Sequence, residues 1–353
     1  MQIQERINAF AKAGQFLSQF TTQGYQKVAG LQGNDRFYEP MVEVIERAHH
    51  HNGWFTRDQV LFALEGWAAL LRKEALEQWT SNYQLQPEKQ QRVAIIMAGN
   101  IPMVGFHDFL CVLMSGHQLI AKTASNDAQL IPLIANYLLE VAPAWEDQIE
   151  FTEDRIHKRD AVIATGSDNT ARYFEYYFKD IPSIIRKNRN SVALLTGSES
   201  DLELTALGED IFRYYGLGCR NVSKLMVPRD YDFQSLFQAI YPWKYLIEET
   251  KYHNNYDYNK AVFLMSEFTF LDNGFLIIKE DNSYSSPIGT LFYEYYDDLD
   301  SAHAQLEKDK DRIQCIVGQS TQEAIIPFGT TQRPGLTDYA DGVDTLKFLE
   351  QLA

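Results

Sequence analysis

Val93-Ala-Ile-Ile-Met-Ala98 is a continuously apolar run that ends in Gly99 and leads into Asn100-Ile101-Pro102. An unbroken apolar run of this length predicts a strand buried on both faces, as in a parallel sheet covered by helices. Pro102 suits the first turn of a helix. That helix would run through Phe109 and Leu113 to Gly116, where a glycine can stop it. The same order repeats downstream. Gln118-Leu-Ile-Ala-Lys122 predicts a strand, followed by a helix from about Asp127 to Val141. Ala161-Val-Ile-Ala164 predicts another, followed by Thr165-Gly166-Ser167 and a helix to about Phe178. Ser191-Val-Ala-Leu-Leu195 predicts one more, with a helix from about Ser200 to Tyr215. Alternation of this kind means an α/β fold with a parallel sheet and helices on both faces. Ligands of such sheets sit at the carboxyl ends of the strands. Asn100, Lys122 and Gly166-Ser167 all stand at such ends.

A second alternating region begins at Ser223-Lys-Leu-Met-Val227 and continues through Phe275–Ile278, Leu291–Tyr295 and Ile313–Val317. The join is Tyr214-Tyr-Gly-Leu-Gly-Cys-Arg-Asn221. The first ninety residues have helical texture. Thr56 caps a helix there, with Gln59 completing a capping box, and Val60, Ala63, Leu64, Trp67, Leu70 and Leu71 share one face. The expected organisation is a helical segment over 1–90, a first α/β domain over 91–215, a second over 216–330 and a tail over 331–353.

The chain has 353 residues, with 48 Asp plus Glu against 32 Lys plus Arg, a net charge of −16. Such a surface repels phosphate backbones and argues against nucleic acid as the partner. No apolar run reaches the roughly 20 residues of a transmembrane helix, and the first residues lack the features of a signal peptide. Cys111, Cys219 and Cys315 are too few and too scattered for a disulfide framework or a metal site. A cytoplasmic protein with reduced thiols and no bound metal is expected. His49, His50 and His51 read as a solvated helix end.

Cys219 differs from the other two cysteines. Gly216-Leu217-Gly218 before it permits a tight turn, and the nearby Arg213 and Arg220 would favour a reactive thiolate. Cys111 and Cys315 lie in apolar segments and read as core. A thiolate nucleophile needs a donor for the oxyanion it creates. The amide of Asn100 is a candidate, and so is the backbone N–H of Cys219. On local features alone Asn100 reads first as a helix cap. There is no G-x-G-x-x-G, no Walker lysine motif, no H-E-x-x-H and no G-x-S-x-G.

Taken together, Ala98-Gly-Asn-Ile-Pro102, Ile120-Ala-Lys-Thr-Ala124, Ala164-Thr-Gly-Ser167 and Gly216-Leu-Gly-Cys-Arg220, in that order, resemble the aldehyde dehydrogenase superfamily. More narrowly they resemble the acyl-CoA reductases related to the fatty-acid reductase of bacterial luminescence. Ser286-Pro-Ile-Gly289, ahead of an apolar strand and Asp297-Asp-Leu-Asp300, resembles a later superfamily motif. The likeness covers roughly Gln91 to Gly318. It implies an aldehyde dehydrogenase-like fold of two parallel-sheet α/β domains, with a Rossmann-like cofactor domain lacking the usual glycine fingerprint. It implies that Cys219 takes the acyl group as a thioester and that Asn100 stabilises the oxyanion. Lys122 would contact the adenosine ribose, and Gly166 and Ser167 would lie against the pyrophosphate and nicotinamide.

The departures are informative. Hydrolytic members carry a glutamate base where this chain has Ile185-Arg-Lys-Asn-Arg-Asn190, which holds no carboxylate. Without that base, water is poorly activated to hydrolyse a thioester. Reduction of a long-chain acyl-CoA, or another acyl thioester, to an aldehyde is then the expected activity. An acyltransferase that never reduces its thioester, or a non-catalytic scaffold subunit, are the rival readings. NAD-selective members often carry a glutamate three residues after the lysine. Here Ser125 stands there and predicts NADPH, although Asp127 could repel a 2′-phosphate and Ser125 could be a helix cap. Ser283 stands about where a ribose-holding glutamate is usual. The luminescence relatives work with acyl-activating enzymes, so the expected assembly is such a complex or a homo-oligomer. The aromatics between Tyr241 and Phe270 could line an acyl pocket or serve as ordinary core.

Overall fold

The computed structural model describes residues 1–319 and 325–352. The chain divides into two compact units, Met1–Lys187 with Gly335–Ala353, and Asn188–Pro334.

The first unit opens with helix α1 (Ile3–Leu17), the two-residue strands β1 (Phe20–Thr21) and β2 (Gly24–Tyr25), and helices α2 (Asn34–His51), α3 (Arg57–Leu70) and α4 (Lys73–Thr80). There follow β3 (Arg92–Ile96), α5 (Phe106–Ser115), β4 (Gln118–Lys122), α6 (Leu130–Val141), β5 (Ile149–Phe151), β6 (Ala161–Thr165), α7 (Asp168–Tyr177) and β7 (Ser183–Arg186). The five longer strands form a parallel sheet in the order β5-β4-β3-β6-β7. The chain starts at the centre, moves outward through β4 and β5, then crosses to β6 and β7. The order therefore reverses between β3 and β6, the place where such sheets bind ligands.

The unbroken apolar run of β3 has a simple cause. Val93 and Ile95 enter one large core with α1 to α6, while Ala94 joins Ile120, Val162 and Ala164 in a smaller core on the other face. With both faces covered, no polar alternation survives. Residues after Gly335 also enter the large core, through Leu336, Tyr339, Leu346 and Leu349. Trp79 Nε1 donates to the Tyr339 hydroxyl at 2.9 Å, so this segment is docked rather than trailing.

Two helix starts differ from expectation. Helix α5 begins at Phe106 with Gly105 at its N-cap, so Pro102 lies in the preceding turn. The reason is Met103, whose φ of 58° is left-handed and cannot belong to a right-handed helix. Helix α6 begins at Leu130 with Gln129 at its N-cap, not near Asp127. The Asp127 carboxylate is turned inward instead, to the backbone N–H of Met103 at 3.1 Å. Strands β5 and β7 were not anticipated. They are edge strands of three and four residues, too short to show a period. Thr56 stands at the N-cap of α3, but its side chain makes no cap hydrogen bond and the expected capping box does not form, while His49 to His51 form the exposed last turn of α2.

The second unit contains β8 (Asn190–Leu194), α8 (Asp201–Phe212), β9 (Val222–Pro228), α9 (Phe233–Ala239), α10 (Thr250–Met265), β10 (Phe270–Asp272), β11 (Ile277–Glu280), β12 (Thr290–Tyr296), α11 (Leu299–Lys308), β13 (Ile313–Gly318) and β14 (Ile325–Ile326). The sheet order is β10-β11-β12-β9-β8-β13-β14, antiparallel only between β10 and β11. Strand β8, which the sequence groups with the first alternation, pairs here with β9 and β13. The boundary between compact units thus falls ahead of β8 rather than after Tyr215. Strand partners are chosen by long-range pairing, which the apolar run 191–195 does not encode by itself. Of the aromatics between Tyr241 and Phe270, Tyr256 and Phe263 are buried beside Ile277 and Phe292, and Phe270 packs on them. Trp243 stacks on Phe212 at 5.5 Å. These side chains serve as core, while Tyr241, Tyr245 and Phe268 are exposed.

Candidate functional site

The carboxyl edge of the first sheet gathers five of the residues singled out in the sequence. Asn100 follows β3, Lys122 ends β4, Ser125 follows it, and Gly166 and Ser167 join β6 to α7. The loops after β3 and β4 brace each other. A Cβ on Gly99 would lie 2.2 Å from Asn126 Oδ1 and 2.7 Å from the Ala124 Cβ, so only glycine fits. Asn52 Nδ2 donates to the Gly99 carbonyl at 3.2 Å, and Asp127 holds Met103 as described. Burial pushes the Asp127 carboxyl up to about 6, against the lowering effect of the Met103 N–H.

Asn100 is exposed in this loop, and the N-cap of α5 is Gly105, five residues further on. The helix-cap reading of Asn100 is therefore excluded. Ser125 is likewise exposed and is not the cap of α6. Lys122 Nζ donates to the carbonyls of Glu153 at 2.8 Å and Asp154 at 3.2 Å. Both acceptors are neutral, so the ammonium charge is kept at this edge. Ser167 is the N-cap of α7, accepting the Thr170 N–H at 3.4 Å. Gly166 packs so tightly on that helix that a Cβ would meet Thr170 Cγ2 at 2.9 Å.

Cys219 belongs to the second unit, in the loop between α8 and β9. The chain there makes an uncommon turn. Tyr214, Tyr215 and Gly216 are all left-handed, with φ of 54°, 59° and 76°. Only the glycine adopts this without cost, each tyrosine being strained by about 1 kcal/mol or more. Asn221 holds the turn. Its Nδ2 donates to the carbonyls of Arg213 at 2.8 Å, Asp210 at 3.0 Å and Ile211 at 3.3 Å. Its Oδ1 accepts the Gly218 N–H at 2.8 Å. Ser191 Oγ donates to the Cys219 carbonyl at 3.0 Å. Cys219 itself is half-buried, whereas Cys111 and Cys315 are buried, as their apolar settings predict.

The two arginines near Cys219 differ. Arg213 is paired with Glu209 through two contacts at 2.6 and 3.1 Å, which offsets its charge. Arg220 Nε donates to the Thr331 carbonyl at 2.7 Å, a neutral acceptor. The segment after β14 is anchored by the same region. Buried Asp210 accepts from Gly329 N at 2.6 Å, Thr331 N at 3.0 Å and Thr331 Oγ1 at 2.8 Å. Burial pushes its carboxyl up in spite of these donors. Asn221 and Asp210 were not singled out in the sequence. An Asn two residues after the cysteine, in a glycine-rich turn, is the signal that could have found the first.

The stretch Ile185–Asn190 carries no carboxylate, and the structure gives its Arg186 a different task. Arg186 Nη2 contacts Asp108 Oδ1 at 2.7 Å, and the pair is 5% and 13% exposed. Arg186 also donates to the Ala340 carbonyl and to Thr345 Oγ1 at 2.7 and 2.9 Å. It is a buried strut inside the first unit. Ser283 is held by Asp281, whose carboxylate accepts its N–H at 2.9 Å. No group of His, Cys, Asp and Glu able to hold a metal occurs among the described residues, and no helix among them is long and apolar enough to cross a membrane.

No family model and no curated protein sequence matches the chain. Solved structures do. The chain is similar to an indole-3-acetaldehyde dehydrogenase solved with NAD+, at 14% identity and a TM-score of 0.64, over 92% of this chain and 73% of that one. It is similar to a gamma-glutamyl-gamma-aminobutyraldehyde dehydrogenase from Burkholderia cenocepacia, at 12% identity, a TM-score of 0.64 and the same coverage. A third is aldehyde dehydrogenase 21 from Physcomitrella patens, solved with succinate, at 11% identity and a TM-score of 0.63, over 92% of this chain and 74% of that one. The fold is that of the aldehyde dehydrogenases.

Proposed function

We propose that this protein is an NADPH-dependent oxidoreductase that reduces an acyl-CoA, or another acyl thioester, to the aldehyde through a thioester on Cys219. The observation that carries the reading is the Cys219 turn. Two strained tyrosines and a glycine, locked by Asn221, present a half-buried thiol in an aldehyde dehydrogenase fold. Strain of this kind persists only where surrounding contacts impose it, and it concentrates at functional sites.

The carboxyl edge of the first sheet suits a dinucleotide. It offers the order reversal between β3 and β6, the side-chain-free Gly166 at the start of α7, and a lysine whose ammonium donates to backbone carbonyls. In this reading Lys122 binds the adenosine ribose, and Gly166 and Ser167 meet the pyrophosphate and nicotinamide end. Ser125, exposed and uncharged, admits a 2′-phosphate, and Asp127 is buried on Met103 rather than presented to it. A bound nicotinamide would supply a hydride.

The residues of the chain do the rest. The Cys219 sulfur attacks the acyl carbon, the bond to the carrier sulfur breaks, and the departing thiolate takes up the proton. Asn100 donates its amide to the oxyanion of the tetrahedral species. The absence of a carboxylate between β7 and β8 leaves water without a base, which favours reduction over hydrolysis.

The test is mass spectrometry after incubation with a long-chain acyl-CoA, alongside NADPH consumption. One acyl adduct on Cys219 and loss of both signals in Cys219→Ala is the expected result. Reduction that survives in Cys219→Ala overturns the mechanism. An adduct without NADPH consumption favours the acyltransferase reading. Neither adduct nor dinucleotide binding favours a scaffold.

A further inference from the structure

The first sheet has an opposite edge. His117 and Gln148 directly precede β4 and β5, and Gln90 stands two residues before β3, so all three lie at the amino ends of those strands. With Arg6, Gly116 and Trp145 they line a cavity of about 190 Å³. Arg6 is 1% exposed. Its Nη1 donates to the Met114 carbonyl at 2.7 Å, and its Nη2 to the Leu85 carbonyl at 2.5 Å and Gln86 Oε1 at 2.9 Å. All three acceptors are neutral, and Nε has no hydrogen-bond partner. Neighbouring Glu5 is exposed and turned to the Gln2 N–H at 2.7 Å. Gln148 Oε1 is also buried without a partner.

His117 adds no counter-charge. Its Nδ1 accepts the Gln91 N–H at 3.2 Å, which leaves the proton on Nε2, facing the Leu349 carbonyl at 3.0 Å. No carboxylate stands among the described residues that line the cavity. Gly116 makes room for the guanidinium. It is left-handed, with φ 86°, and a Cβ there would lie 2.4 Å from Arg6 Nη1. A buried cation with neutral partners, one orphan donor and a nearby orphan acceptor is an incomplete arrangement.

We propose that this cavity binds a phosphate group, free or as the monoester of a small metabolite. The phosphate supplies the missing negative charge and an acceptor for Arg6 Nε–H. Near neutral pH inorganic phosphate also retains an O–H that Gln148 Oε1 can accept, and a monoester retains one only in its monoanion. Sulfate has the same shape and no such proton. The site lies at the amino edge, distinct from the carboxyl edge proposed for the dinucleotide. Burial pushes the Arg6 pKa down to about 10, still far above neutral, so the charge is present under ordinary conditions.

The experiment is equilibrium dialysis of the intact protein with radiolabelled inorganic phosphate at fixed ionic strength, with glycerol 3-phosphate and sulfate as competitors. One saturable site per chain is expected. Displacement by sulfate should need at least tenfold higher concentration, and displacement by glycerol 3-phosphate would identify monoesters as ligands. Arg6→Met should abolish binding. Gln148→Leu leaves every Arg6 hydrogen bond in place and should weaken binding about tenfold, so it decides the matter if Arg6→Met does not fold. Saturating NADPH should leave the stoichiometry at one. Absence of saturable binding, displacement by NADPH, or unchanged affinity in Gln148→Leu overturns the assignment. None of these readouts depends on Cys219 chemistry.

Discussion

The carboxylate of Asp127 accepts the backbone N–H of Met103 at 3.1 Å, and Met103 is held in a left-handed conformation with φ 58°. One buried acid thus fixes the loop that carries Asn100. Its pKa, raised from 3.8 to about 6 by burial, makes the sign of the pH effect clear. The folded state binds the proton more tightly than the unfolded state, so stability falls as pH rises from about 4 through about 6. The amplitude is of the order of 3 kcal/mol. Asp127→Asn should remove this dependence and be the more stable protein at pH 7, measured by urea denaturation across the window. A variant with the same pH dependence as the parent would count against the assignment.

Asn221 makes four hydrogen bonds that hold the Cys219 turn. Asn221→Ala should cost about 2–3 kcal/mol and slow acylation of Cys219 at least tenfold. Asn221→Asp keeps the acceptor for Gly218 but loses the donor to three carbonyls. It should therefore be no better than alanine. Denaturant midpoints and adduct yields check both, and rescue by aspartate would contradict this account.

Asn100 is exposed and caps no helix, so Asn100→Ala should leave the unfolding midpoint almost unchanged. If Asn100 serves the oxyanion, reduction should slow roughly a hundredfold. Unaltered turnover would remove Asn100 from the mechanism.

Ser125→Glu places a carboxylate on the loop after Lys122. It should weaken NADPH binding by at least tenfold and leave NADH binding unchanged or tighter, as read by fluorescence titration of both reduced cofactors. Tighter NADH than NADPH binding in the parent protein would defeat the argument from Ser125.

Arg186 and Asp108 form a buried pair whose disruption leaves an uncompensated charge. Arg186→Met should cost about 3–5 kcal/mol. Because Arg186 also holds Ala340 and Thr345, residues 335–352 should become sensitive to protease in this variant. Unchanged proteolysis would show that the segment is held by its other contacts, such as Trp79 with Tyr339 and His107 with Leu336, without Arg186.

The order of strands and helices was legible because doubly covered strands leave long apolar runs, as in Val93–Ala98 and Ser191–Leu195. What stayed hidden was decided by tertiary contacts. Met103 is left-handed and its N–H is held by the buried Asp127, and neither residue signals this locally. The edge strands Ile149–Phe151 and Ser183–Arg186 are too short for a period. Strand Asn190–Leu194 reads equally well in either sheet until its partners are known. At the candidate site, Cys219 was legible from its glycines. Asn221 was not, since its role depends on carbonyls eight to eleven residues earlier in the chain.

The first unit is discontinuous, broken at Lys187 and resumed at Gly335. During synthesis this has an order of events built into it. The uninterrupted second unit can complete its contacts as soon as Pro334 is clear of the ribosome. The first unit waits with His107 lacking its bond to the Leu336 carbonyl and Trp79 lacking the Tyr339 hydroxyl. Nascent chains arrested before Gly335 should therefore expose apolar surface from residues made much earlier, and engage chaperones through that unit rather than the later one. Pulse proteolysis of chains arrested on either side of residue 335 would reveal the sequence of events, and early protection of the first unit would refute it.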